Sequence, residues 1–184
     1  LPVAPALASS LDLLRSQWLS ACLVYNEAVA EQILNQAFAL FPVERVTQEL
    51  IQRGLYEVGQ MWQSGEASVQ QEHYMSALAA RRLDTLIAAS PAPLRPQTIL
   101  LACPPDEWHA LPLLLLSLLL RRQGWNVVYL GANVPVARLA ESIDIVRPAL
   151  VVMATQHLMG AARLRDAAAL LAEKQVHLAF GGRI

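Results

Sequence analysis

The chain has 184 residues, enough for one large domain or two small ones with separate cores. Its hydrophobic share of 55 % exceeds the globular norm of about 45–50 %, and its formal net charge is −1 with no Lys/Arg cluster. This balance excludes the electrostatic footprint of a nucleic-acid binder, and the longest apolar run, Leu111 to Leu120, falls far short of the roughly 20 residues that cross a bilayer.

No basic segment precedes an apolar one at the start, so a signal peptide is not expected. Cys22 and Cys103 form neither a CxxC pair nor a disulfide framework, which fits a reducing cytoplasm. The expectation is a soluble, cytoplasmic protein with no membrane partner.

Residues 9 to 89 read as four amphipathic helices. Ser9 or Ser10 is the expected cap of the first, which carries Leu11, Leu14, Trp18 and Leu19 on one stripe. The second starts at Asn26, with Ala28, Val29, Ile33, Leu34 and Phe38 inward, and ends at Phe41-Pro42. A third runs from about Val43 to Trp62 on Val46, Leu50, Ile51, Leu55, Val58 and Met61, stopped by Ser64-Gly65. The fourth spans about Ala67 to Ala89. Short links between such helices predict a four-helix bundle over residues 1–89.

Ser90-Pro91-Ala92-Pro93-Leu94-Arg95-Pro96 is a proline-rich linker. After it, strands alternate with helices: strand Thr98–Ala102, helix 110–123, strand 126–130, helix 136–145, strand 149–154, helix 160–174 and strand 177–180. That alternation predicts a flavodoxin-like (Rossmann-like) parallel α/β domain over residues 97–184. The expected last strand and helix are missing, so the domain reads as incomplete at its carboxyl end. The Leu113–Leu120 helix is apolar almost all round and should be buried on more than one side, one of them a candidate subunit interface.

Two sites stand out among only four histidines. Trp62 is followed, after nine intervening residues, by Glu72-His73 in the helical half. Glu107-Trp108-His109 lies in the loop after the first strand, at the sheet edge where open α/β folds bind ligands. Glu107 can accept a hydrogen bond from one imidazole nitrogen of His109 and raise the basicity of the other toward a metal. Two such histidines suggest a flat, metal-centred cofactor held from opposite faces. On spacing alone, a polar loop with an uninvolved histidine is an equal reading, and Trp62 reads as a core aromatic beside a solvated Glu72-His73. His157 reads first as a loop residue, with a place lining the cofactor's tail pocket as its alternative, and His177 reads as structural. Gly160 opens a helix without a GxGxxG fingerprint, which argues against a dinucleotide site.

Glu107-Trp108-His109-Ala110-Leu111-Pro112 resembles the Asp/Glu-x-His-x-x-Gly motif of cobalamin-binding domains. Tyr129-Leu130-Gly131-Ala132-Asn133-Val134-Pro135 and Gly181-Gly182 resemble that family's second-strand turn and tail-binding glycines. The resemblance implies that His109 replaces dimethylbenzimidazole as the lower axial cobalt ligand, with the detached tail in the α/β domain. Pro112 stands where the family has glycine. The family's serine after the third strand corresponds to Ala154, followed by Thr155, so its hydroxyl is either missing or supplied by Thr155.

Trp62 with Glu72-His73 resembles the upper-face signature of CarH-type, MerR-family light-sensing cobalamin domains, a likeness that runs from the bundle through Gly182. It implies adenosylcobalamin between bundle and α/β domain, with Trp62 and Glu72 on the adenosyl group and His73 ligating cobalt after light. It also implies a dark-state homo-oligomer, dimer or tetramer, that contacts DNA through a separate domain and not through this chain. The competing readings are a corrinoid methyl carrier of a methyltransferase system and a related sensor that takes a bilin.

Overall fold

The computed structural model describes residues 4–182. By compactness the chain divides into two units, up to Arg82 and from Leu83 onward, the dividing point lying inside the fourth helix.

The first unit is helical. Its first helix, Ala4–Leu23, starts ahead of Ser9-Ser10. The expected serine cap is therefore corrected: those residues lie within the helix, and Leu11 and Trp18 from its apolar stripe are fully buried. The second helix is Glu27–Leu40, capped by the Asn26 side chain, which accepts from the Val29 N–H at 3.2 Å. Its inward face is shifted from the expected one. Ala30, Ile33, Leu34 and Ala37 are buried, whereas Ala28 and Val29 are exposed.

A continuous third helix covers 43–64, with a π-helical stretch at Val46–Gln52. Within that stretch the buried Thr47 hydroxyl lies 2.8 Å from the Val43 carbonyl and 3.0 Å from that of Glu44. Such back-bonding accompanies local widening of a helix. Gly54 lets the Trp18 ring approach, since a Cβ there would stand 2.9 Å from it. Ion pairs join the helices: Arg15 to Glu57 at 2.8 Å, Arg81 to Glu27 at 2.5 Å, and Arg82 to Glu31.

Left-handed Gly65 ends the third helix, and the fourth, Val69–Ala88, begins with a capping box. The Gln71 N–H donates to the Ser68 hydroxyl at 3.2 Å, and the Ser68 N–H donates to the Gln71 side chain at 2.7 Å. Gln71 also donates to the Leu23 carbonyl at 2.7 Å, which ties this helix start to the end of the first helix.

The second unit is the expected parallel sheet. Its strands are β1 Thr98–Ala102, β2 Asn126–Gly131, β3 Leu150–Ala154 and β4 His177–Gly181, in spatial order β2-β1-β3-β4, all parallel. Alternate β1 residues point to opposite faces. Ile99 and Leu101 pack with Leu116 and Leu120 of helix Leu111–Arg122. Leu100 and Ala102 pack with Leu139 and Ile143 of helix Leu139–Val146, and with Leu164 and Leu171 of helix Leu158–Glu173. All the leucines of Leu111–Arg122 are buried or half-buried, as its all-round apolarity predicts.

The proline-rich segment is tied to this unit. The N–H groups of Leu94 and Arg95 both donate to the Gly124 carbonyl at 2.9 Å, and the Arg95 guanidinium stacks over Trp125 at 4.5 Å. Element bounds differ from the expected ones by a few residues. The region after β2 opens with a single 3-10 turn, Val136–Arg138, before its helix, and the helix after β3 starts at Leu158. Among the described residues, no helix is long and apolar enough to cross a membrane.

The order β2-β1-β3 means that the chain leaves β1 toward one side and β3 lies on the other. The carboxyl ends of β1 and β3 therefore flank a topological switch point, the place where open α/β sheets form a crevice.

Candidate functional site

The loop after β1 crosses that switch point. Its path is held by the turn after β2. The Cys103 N–H donates to the Gly131 carbonyl at 2.9 Å, and the Val134 N–H to the Cys103 carbonyl at 3.0 Å. Asn133, at φ +52°, accepts from the Asp106 N–H with its side chain at 2.9 Å and donates its own N–H to the Glu107 carbonyl at 2.9 Å. Left-handed Gly131 permits this return. Tyr129 supports the loop's far end, its hydroxyl donating to the Ala110 carbonyl at 3.3 Å. Burial raises that hydroxyl to about 12, with the nearby Cys103 and Asp84 adding to the effect.

Glu107 is the centre of the site and is 1 % exposed. One carboxylate oxygen accepts from the His109 N–H at 3.0 Å and from His109 Nδ1 at 2.6 Å. The other accepts from the Thr155 hydroxyl at 2.8 Å and from the Gln156 N–H at 2.5 Å. Burial pushes the Glu107 carboxyl up, but these four hydrogen bonds outweigh it and hold it down at about 2. An ionised Glu107 accepting from Nδ1 leaves Nε2 of the half-exposed His109 as a lone-pair donor. That is a donor suited to a borderline metal centre, and its loop lies at the carboxyl end of β1, the edge where open α/β sheets bind ligands.

The open question about the hydroxyl is resolved in favour of Thr155. Ala154 points into an apolar cluster with Cys103 and Leu113, while the fully buried Thr155 faces Glu107. Two glycines make room for Thr155. A Cβ on Gly160 would stand 2.0 Å from its Oγ1, and one on Gly182, at φ +140°, would stand 1.6 Å from its carbonyl oxygen. The Thr155 N–H donates to the Gly181 carbonyl at 3.0 Å.

The fold thus brings Glu107, His109, Thr155, Gly181 and Gly182 together, with Tyr129 and Gly131 supporting the loop. Pro112 sits in the first helical turn, where a missing N–H costs nothing. Gln156, Asn133 and Gly160 were not legible as site residues. Gln156 acts through its backbone, and Gly160 matters only because Thr155 approaches it. His157, read as a loop histidine that could line the tail pocket, lies beside His109 with ring centroids 5.1 Å apart at 64°.

In the helical unit, Trp62 is 48 % exposed near the end of the third helix, which argues against a core role. Glu72 and His73 lie at the start of the next helix, behind the Ser68–Gln71 capping box. Glu72 accepts from His73 Nδ1 at 2.6 Å and from the Ser76 hydroxyl at 2.7 Å. The His73 side chain is 74 % exposed, so its Nε2 is also available.

Residues 14–87 match one B12 binding domain family, and residues 97–184 match a second family of the same description. Both units are B12 binding domains. The chain is 33 % identical over 141 residues to the HTH-type transcriptional repressor CarH of Myxococcus xanthus, covering 77 % of this chain and 47 % of that protein. It is 44 % identical over 86 residues to the HTH-type transcriptional repressor CarA of the same organism, 46 % of this chain and 30 % of CarA. The chain thus spans about half or less of the curated relatives it matches. The monomethylamine corrinoid protein of Methanosarcina barkeri gives a TM-score of 0.69 at 16 % identity, covering 91 % of this chain and 83 % of its own, a likeness of fold alone.

Proposed function

We propose that this chain is the adenosylcobalamin-binding sensory part of a light-responsive transcriptional regulator, with His109 as the lower axial ligand of cobalt. The observation that carries the ligation is Glu107: buried, ionised, and hydrogen-bonded to His109 Nδ1. The donor set fits the group. A neutral imidazole nitrogen suits cobalt, and the carboxylate–histidine pair fixes its tautomer. Thr155 and the Gln156 N–H keep Glu107 charged and aimed, and Gly181-Gly182 supply a side-chain-free edge for the cofactor's tail.

Bound adenosylcobalamin supplies a light-labile cobalt–carbon bond. In this reading Trp62 and Glu72 would hold the adenosyl group, and His73 would supply an imidazole nitrogen to cobalt after light. The exposed Trp62 ring and the Glu72-tethered His73 support these assignments, as does the likeness to a named repressor over 77 % of the chain. The regulator assembles as a homo-oligomer in the dark, and its DNA contacts come from a domain other than this one, a reading supported by this chain's net charge of −1 and the lack of a Lys/Arg cluster in its sequence.

The test is reconstitution of the purified chain with adenosylcobalamin and absorption spectroscopy before and after green light. A His-ligated dark spectrum that changes on illumination is expected. His109→Ala should weaken binding and lose the ligand signature, and His73→Ala should bind in the dark yet fail to form the stable light product. An unchanged dark spectrum in His109→Ala sinks the ligation. A parent chain that binds methylcobalamin and not the adenosyl form would make it a methyl carrier instead, and a bound bilin would show as a visible band independent of cobalamin.

A further inference from the structure

His157 is outside the site just described, yet the fold places it deliberately. It precedes helix Leu158–Glu173, with its N–H on the Thr155 hydroxyl at 3.3 Å and its carbonyl accepting from the Ala161 N–H at 3.1 Å. Its backbone is thus fixed by the same Thr155 that holds Glu107, while its side chain is exposed beside His109. One donor atom from each of Glu107, His109 and His157 lies within 4.8 Å of the other two. The four hydrogen bonds already accepted by Glu107 leave it to supply charge and orientation, with the two imidazoles as the direct ligands.

We infer that the cofactor-free chain binds one divalent transition ion of the nickel–zinc class through His109 and His157, backed by Glu107. Paired imidazoles suit these borderline ions, whose bonds to histidine nitrogen are about 2.0–2.1 Å long for zinc. The donors need only a short approach from within 4.8 Å, which the exposed His157 side chain is free to make, and waters would complete the shell. The ion and cobalamin then exclude one another, because both use His109. The exclusion, unlike the ion binding itself, rests on the proposed ligation of cobalt by His109.

The test uses the chelator-treated, cobalamin-free chain titrated with Ni²⁺ by calorimetry. One equivalent should bind, and His157→Ala and His109→Ala should each weaken it by at least about tenfold, the low end of what disturbing a metal's ligand environment costs. His177→Ala should bind like the parent. Saturating Ni²⁺ should slow adenosylcobalamin loading of the parent but not of His157→Ala. Absence of Ni²⁺ binding by the parent, or parent-like binding by a folded His157→Ala chain, overturns the inference. If the parent binds Ni²⁺ but no cobalamin, the metal site stands and the cobalamin reading fails.

Discussion

Replacing Thr155 with Val removes one hydroxyl while nearly conserving shape, so it isolates the hydrogen bond that stabilises the ionised Glu107. The hydroxyl is fully buried and donates at 2.8 Å to a carboxylate oxygen that is 2.5 Å from the Gln156 N–H. A hydrogen bond to a charged group contributes about 1.5–3 kcal/mol, and the His157 N–H loses its acceptor as well. The expected cost at pH 7 is therefore about 2–3 kcal/mol. At about 4–8 °C per kcal/mol for a unit of this size, the melting point should fall by about 10 °C or more.

The cost should depend on pH, with a defined sign. Glu107 is held at about 2 in the folded chain, because its hydrogen bonds outweigh the burial that raises it. A depressed carboxyl contributes stability that is complete above its ordinary value of about 4.3 and is lost as pH falls toward the folded value. Without the hydroxyl, the folded value rises toward the ordinary one. The penalty of Thr155→Val should thus be full at pH 7 and smaller at pH 3. Thr155→Ser keeps the hydroxyl and loses a methyl, costing about 1 kcal/mol with little dependence on pH. Urea unfolding followed by circular dichroism at both pH values measures each variant. Equal costs for Val and Ser, or a Val penalty unchanged between pH 7 and pH 3, would refute the reasoning.

Gly160→Ala should destabilise by about 1–3 kcal/mol, although alanine is the better helix former, because its Cβ would stand 2.0 Å from Thr155 Oγ1; a gain in urea midpoint would contradict this. Ser68→Ala should cost about 1 kcal/mol, and the double change with Gln71→Ala should cost less than the sum, since the two residues cap each other. Burial raises the Cys22 thiol to about 12 and that of Cys103 to about 11, with Glu31 and Glu107 respectively adding to it. Neither should react with a disulfide reagent at pH 8 until denaturant is added, and rapid native labelling of either would count against the packing around it.

The sequence alone was sufficient for the kinds of element and their succession along the chain, because periodicity is a local property. The 3.6-residue apolar spacing through Val58 and the short Val/Leu/Ile runs at 98–102 and 150–154 each report one element at a time. Glu107-x-His109 was legible as a candidate pair for the same reason, since residues two apart need little of the fold to meet, and here they do at 2.6 Å. Local signals also misled. Ser9-Ser10 looked like a cap because serine caps helices, yet the helix continues upstream of it. Val29 looked inward because it is apolar, yet packing selected Ala30 and Ala37, whose small side chains let the helix lie close to its neighbours.

Tertiary structure decided which residues complete the site. Glu107 and Thr155 are 48 residues apart and meet only because β1 and β3 are adjacent in the sheet while β2 lies on the other side. Strand order is set by the packing of helices on both faces, and no window of sequence contains it. The choice between Ala154 and Thr155 was decided where β3 ends: Ala154, its last residue, faces the apolar cluster, and Thr155, just beyond it, faces the carboxylate. The depressed Glu107 carboxyl, the room left by Gly160 and Gly182, and the approach of His157 to His109 all follow from that one long-range contact between two loops.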